Sequence, residues 1–435
     1  MNIKSKPFFI LFIFFFTLGL SAFQGEKSIL AIEKNFFINI EESNIQQSIY
    51  TKPNITLNPN KNINNNIGQK YYESDRVVQF LKIIMSFLIP ALILFTGFSY
   101  KLGCFSQKIG KNLFLTAGIY GILYTLIDNL LNLPLTFYGS YVQSHIFGLS
   151  HQPFVSWIKS YSLEVLLTSC GLLFLLWIPY KLIKKHPNRW WIYTGILIIP
   201  VTLFMYLAQP VIIDPLFNNF KPLDDKTIER SLVELTKKAN IENCKILQID
   251  KSKDTNMINA YMTGIGGSKR IVLWDTAIKS LNLRELRFIM AHEIGHYVLG
   301  HIKKLVIVDI LLTFIVLYII SKLAPPLMMK YSKKFKFREL YNIASYPIAI
   351  IIINFCFLFI TPSMNAYSCY MERQADNFAL EITQDKEAGI SAFDKLAENG
   401  FVIPNPDPLY KLWKYDHPPI NERIEHFKKY KQHKE

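Results

Sequence analysis

The run Leu281-Asn282-Leu283-Arg284-Glu285-Leu286-Arg287-Phe288-Ile289-Met290-Ala291-His292-Glu293-Ile294-Gly295-His296 decides how this chain is read, together with the apolar span that begins at 304. Its apolar and charged residues alternate at helical spacing, so it predicts a helix. On that helix His292 and His296 share a face, and both imidazoles can reach one metal ion. Glu293 lies one step round, beside the place of a metal-bound water. Gly295 and Gly300 each lower helix propensity by about 1 kcal/mol against Ala, so a small residue between two ligands points to close packing.

Working outward, the 435 residues are half hydrophobic and only 19% charged, which excludes an ordinary soluble protein and fits a polytopic membrane protein. The net charge of +15 raises nucleic acid as a partner, but no basic stripe interleaves with aromatics. Lipid headgroups and topology account for the excess better. Cys104, Cys170, Cys244, Cys356 and Cys369 show no ligand spacing and no disulfide framework.

Lys4 and Lys6 followed by Phe8 to Leu20 resemble a signal peptide or a first membrane helix, over 1–23. Residues 24–76 read as an Asn-rich, weakly ordered linker. Six apolar spans follow at 82–100, 113–136, 162–183, 191–213, 304–324 and 344–363, each near the ~20 residues that cross a bilayer. The division expected is a four-helix membrane module, 77–213, then a zinc domain, 214–435, that includes the last two spans. The loops after the first, third and fifth spans carry the basic residues, from Lys101 and Lys184 to Lys336, whereas loop 137–161 carries only Lys159. The positive-inside rule therefore places the soluble regions outside the cytoplasm.

A catalytic zinc takes three protein ligands and keeps a fourth position for water. The third candidate is Glu372, in Tyr370-Met371-Glu372-Arg373-Gln374-Ala375-Asp376, which continues helically from the last span. Asp376, a turn further on, can accept from a ligand imidazole or assist the leaving group. The competing reading is a solvated acidic face paired to Arg373. His301, five positions past His296, rotates off the shared face and is not expected to be a ligand. His145, His151 and His186 fall in loops and receive no role. Lys245 to Asp250 reads as a strand, and Asn259-Ala260-Tyr261 through Gly266-Gly267 to Trp274 as a hairpin whose edge suits an extended substrate. Near the C-terminus, His417 before Pro418-Pro419 can donate to an oxyanion, and Arg423 can hold a carboxylate.

These motifs resemble the type 1 CAAX prenyl proteases, integral-membrane zinc metallopeptidases. The resemblance spans about 70 to 430, with Leu133 to Tyr138, Pro215 to Leu223, Asn259-Ala260-Tyr261, Lys269 to Thr276, the zinc motif, Glu372 to Asp376 and His417-Pro418-Pro419 in order. It implies a mainly α fold: seven membrane helices in a barrel around a chamber, with a gluzincin-type zinc domain holding a small β-hairpin or sheet. It implies one Zn2+ per chain on His292, His296 and Glu372, Glu293 as catalytic base, and Asp376 as a supporting or proton-donating residue. Asn259, Ala260 and Tyr261 would form the substrate edge, and His417 and Arg423 would bind substrate or transition state. The implied reaction removes the three residues after a prenylated cysteine. The partners expected are a peptide or protein substrate, lipidated or not, and the bilayer, with the chain a monomer and no nucleic acid. By family analogy the site faces the cytosol, against the charge reading. Two alternatives stand beside this: a general envelope quality-control protease, and a non-catalytic transport or lipid-binding protein, against which the intact Glu293 argues.

Overall fold

The computed structural model describes residues 61–431, apart from Ile265, Phe401, Val402, Pro404 and Asn405. The segment 1–23 and the first part of the Asn-rich stretch lie outside the described residues. All six apolar spans form helices, Ile67–Phe95, Leu113–Ile146, Phe154–Lys185, Trp190–Phe217, His301–Phe335 and Ile343–Thr383. Only 17% to 44% of each apolar window is buried inside the protein, which leaves the remaining apolar surface for lipid.

Two boundaries differ from the sequence reading. The expected linker ends early, because a helix already runs Lys61–Phe95. Tertiary contacts override the weak helix preference of its Asn-rich start. Tyr72 stacks edge-on against Tyr410 at 4.9 Å and accepts the Asp407 N–H at 2.8 Å, while buried Asp75 accepts the Tyr410 hydroxyl. The expected span 82–100 also stops at Phe95: the chain turns at Thr96-Gly97, and a separate short helix, Phe98–Gly110, carries Lys101 and Lys108.

The soluble lobe contains strands β1 (Phe220–Pro222), β2 (Lys245–Ile249), β3 (Ala260–Thr263) and β4 (Arg270–Trp274), in the order β1-β2-β4-β3. β2 and β4 are parallel, and β3 pairs antiparallel to β4 with Ala260 opposite Leu273. The expected hairpin is therefore present, with β3 at the sheet's edge. Ala260 and Met262 pack in one core with Ala291, Ile294, Ala379 and Phe427. That core joins the sheet, the zinc-motif helix and the end of the last membrane helix, and so sets the site's geometry.

The helix His301–Phe335 spans 35 residues, about 52 Å at 1.5 Å per residue. It carries the chain from the motif helix to the opposite end of the bundle, where the basic loops meet. There a Cβ on Gly97 would touch the Lys336 side chain, and Lys184 lies 5.8 Å from the Tyr341 ring.

Candidate active site and metal centre

The motif helix, Leu283–Val298, starts on a capping box. The Glu285 N–H donates to Asn282 Oδ1 at 3.0 Å, and the Asn282 N–H donates to Glu285 Oε2 at 2.8 Å. The buried Glu285 carboxylate also accepts from Ser391 Oγ and Lys395 Nζ, tying this end to the helix Lys386–Asn399. Further along, the helix crosses the last membrane helix at Gly295, where a Cβ would lie 3.1 Å from Phe378 Cβ. The small residue between the histidines thus permits a close approach, as its spacing suggested.

That crossing sets Glu372 against both histidines. Glu372 Oε2 lies 3.2 Å from His292 Nε2, Glu372 Oε1 lies 3.2 Å from His296 Nε2, and the two Nε2 atoms are 3.0 Å apart. The three ligand atoms lie within 4.8 Å of one another. Glu372 and Asp376 are almost fully buried, so the solvated acidic face is excluded. Arg373 instead pairs with Glu422.

The residues fit a metal ion. Glu372 Oε2 is buried without a hydrogen bond of good geometry, although the Arg423 guanidinium is 3.4 Å away. Glu293, Glu372 and Asp376 face one guanidinium, Arg423, and leave two negative charges that a divalent cation balances. Burial alone would push the His292 imidazole down, but the Glu372 and Asp376 carboxylates outweigh it and lift the ring to about 10. Such a field attracts a cation. Two imidazoles and one carboxylate are also the donor set of a catalytic zinc with a position to spare.

Asp376 lies behind the ligands, 1% exposed, with Oδ1 3.0 Å from His292 Nδ1. Arg423 donates to it twice, from Nε at 2.9 Å and Nη2 at 2.5 Å. Beside His292 opens a cavity of about 630 Å³. His292 and Glu293 form one wall and Asn259 and Ala260 another, while Lys82 and Glu164 face it from the membrane helices.

The family model of peptidase family M48 matches residues 222–431, and that of the CAAX prenyl protease N-terminal region, with five membrane helices, matches 68–219. An uncharacterized metalloprotease of Bacillus subtilis, YhfN, is 33% identical over 83% of this chain and 85% of its own. The chain belongs to peptidase family M48. It is a multi-pass membrane metalloprotease, and membership implies a metal cofactor, in this family generally zinc. The CAAX prenyl protease 1 of Saccharomyces cerevisiae is 29% identical over 71% of this chain and 70% of that protein. Its Homo sapiens homolog is 25% identical over 72% and 74%. The crystal structure of S. mikatae Ste24p shares the fold, with a TM-score of 0.76 at 22% identity over 99% of this chain and 100% of that one.

In this M48 peptidase several expected site residues take up unexpected positions. Asn259 and Ala260 line the cavity, but Tyr261 does not. Strand alternation turns its side chain to the far face of the sheet, beside Ile249, Val272 and Trp274. Arg423 does hold a carboxylate, Asp376, and it also lines the cavity and lies 3.4 Å from Glu372. Asp376 is enclosed by His292 and Arg423. His417 stands at the rim, with Nε2 3.3 Å from Glu372 Oε1 and Nδ1 2.7 Å from Asp416 Oδ1. Burial lowers its affinity for a proton, but Glu372 and Asp416 outweigh that and push the ring up to about 9.

Spacing passed over other residues altogether. His145 is helical, in Gln143–Ile146, and its ring nitrogens meet Tyr141 O and Gln152 O at 2.6 and 3.0 Å. His151 ties the same segment to the soluble lobe through Ser252 O at 2.6 Å. His301, expected to point away, lies against His296, with their Nδ1 atoms 2.9 Å apart. The expectation assumed one continuous helix; the chain breaks at Gly300, with φ 67°, and a new helix begins at His301. Glycine takes that left-handed conformation without steric cost.

Proposed function

We propose that this M48 protein is a CAAX-type endopeptidase that holds one zinc ion on His292, His296 and Glu372 and removes a C-terminal tripeptide beside a lipidated cysteine. The observation that carries the metallopeptidase chemistry is the convergence of those three side chains within 4.8 Å, with His292 and Glu293 also lining the cavity. When bound, zinc polarises the scissile carbonyl and acidifies the attacking water. Glu293 takes the water's proton and passes it to the leaving amine. The β3 edge at Asn259 and Ala260 aligns the peptide backbone as an added strand. His417 donates to the oxyanion from the rim. Asp376 and Arg423 keep His292 oriented, and the cavity limits access of bulk water.

The substrate class draws support from the relatives named CAAX prenyl protease 1. A general envelope peptidase is the second reading, supported by the basic loops gathered at the end opposite the site, which favour an extracytoplasmic active site for a monomer in the bilayer. Purified protein given a farnesylated peptide and its unprenylated twin separates the two. Cleavage confined to the farnesylated peptide is expected; equal cleavage rejects CAAX specificity. Glu293→Gln should lower turnover by about 10²–10⁴-fold with zinc retained, and undiminished cleavage rejects the mechanism. A cysteine at exposed Lys237 reports the side; labelling from the cytoplasm overturns the charge reading.

A further inference from the structure

The two ligand histidines are held by chemically different partners. His292 Nδ1 faces the Asp376 carboxylate, itself clasped by Arg423. His296 Nδ1 faces no charge. It meets His301 Nδ1 at 2.9 Å, and His301 Nε2 lies 3.1 Å from Gln374 Oε1. Gln374 Nε2 in turn donates to the Tyr370 hydroxyl at 3.2 Å. His301 is 1% exposed, so both of its ring nitrogens depend on these partners.

Proton placement along this chain has one self-consistent solution. To offer a lone pair from Nε2, His296 must carry its proton on Nδ1. That N–H donates to His301 Nδ1, which places the His301 proton on Nε2. The His301 Nε2–H then donates to the Gln374 carbonyl oxygen, and the Gln374 amide N–H donates onward to Tyr370. Gln374 lies two residues past Glu372 on the same helix, so the relay ties His296 to the backbone that carries the third ligand. A carboxylate in place of His301 would have added a third uncompensated negative charge to the site; a neutral imidazole orients His296 without one.

We propose that His301 is a positioning residue, anchored by Gln374, that holds His296 in its metal-binding tautomer and orientation. The inference rests on the zinc-peptidase reading above and deepens it. Partners of this kind change metal affinity by about 10–100-fold when removed.

The test is zinc affinity of the purified full-length protein, by competition with a chromophoric chelator. Its variants are His301→Phe, Gln374→Leu and Gln374→Glu. His301→Phe should weaken binding by about 10–100-fold, and Gln374→Leu should weaken it less. Gln374→Glu keeps an acceptor for the His301 N–H and should bind at least as tightly as the unaltered protein. A merely structural role would not separate the two Gln374 variants, whose position is only half-buried. If His301→Phe fails to fold, that pair decides. The proposal is overturned if His301→Phe binds zinc as the unaltered protein does, or if Gln374→Glu falls as far as Gln374→Leu. Absence of zinc binding in the unaltered protein would overturn the zinc-peptidase reading itself, and the inference with it.

Discussion

At the floor of the site His292, Glu372, Asp376 and Arg423 are at most 6% exposed and engage one another, whereas at the rim the His417 side chain is 55% exposed and β3 is the last strand of its sheet. The floor is built where two helices cross at contact distance, and its carboxylates share the single guanidinium of Arg423. A ligand set assembled this way can move only if both helices move. The rim draws on a strand edge and a segment before two prolines, and it keeps polar groups facing the cavity. Rigidity for a metal ion and accessible polar groups for an entering chain are opposite requirements, and the proposed site would meet them with different elements.

Substitutions can break that contrast. At the rim, His417→Ala should lower kcat by about 10²–10³-fold while leaving metal content unchanged. Metal loss in that variant, seen by elemental analysis, would move His417 from rim to floor. At the floor, Asp376→Asn should weaken zinc binding by about 10–100-fold, read by chelator competition. Unchanged affinity there would mean that Arg423 and the helix crossing alone orient His292. The smallest effect compares two glycines by thermal unfolding. Gly295→Ala forces Phe378 to shift and should cost about 1–3 kcal/mol. Gly267→Ala, in the hairpin turn with nothing within 4 Å of the new Cβ, should fall within about 0.5 kcal/mol of the unaltered protein. Equal costs would show that the close crossing at Gly295 is not what tightens the floor.

The cluster of His292, His296 and Glu372 was legible in the sequence because its spacing is local. His292 and His296 are one helical turn apart, and Glu372 and Asp376 repeat that spacing, so residue type and period sufficed. The six spans were legible from length and hydropathy for the same reason. What spacing left open shares a physical cause. The face that the Tyr261 side chain takes was open because strand alternation assigns faces only once the buried side is known. Lys61 to Arg76 is helical because Tyr72 and Asp75 pack against a segment more than three hundred residues later. His301 was dismissed on the geometry of an unbroken helix, although Gly300 was the one local hint of a break.

Sequence alone carried the reaction class and the membrane spans, and it marked His292, His296, Glu372 and Glu293 as candidates, since each is written in residue type at short periodic spacing. Only the folded chain shows which polar groups meet these candidates: Arg423 at Asp376, His301 at His296, Gln374 at His301. Such contacts depend on where two helices cross and where a glycine breaks one of them. Hydrogen bonds across a crossing obey distances of about 3 Å in space, to which separation along the chain is no guide.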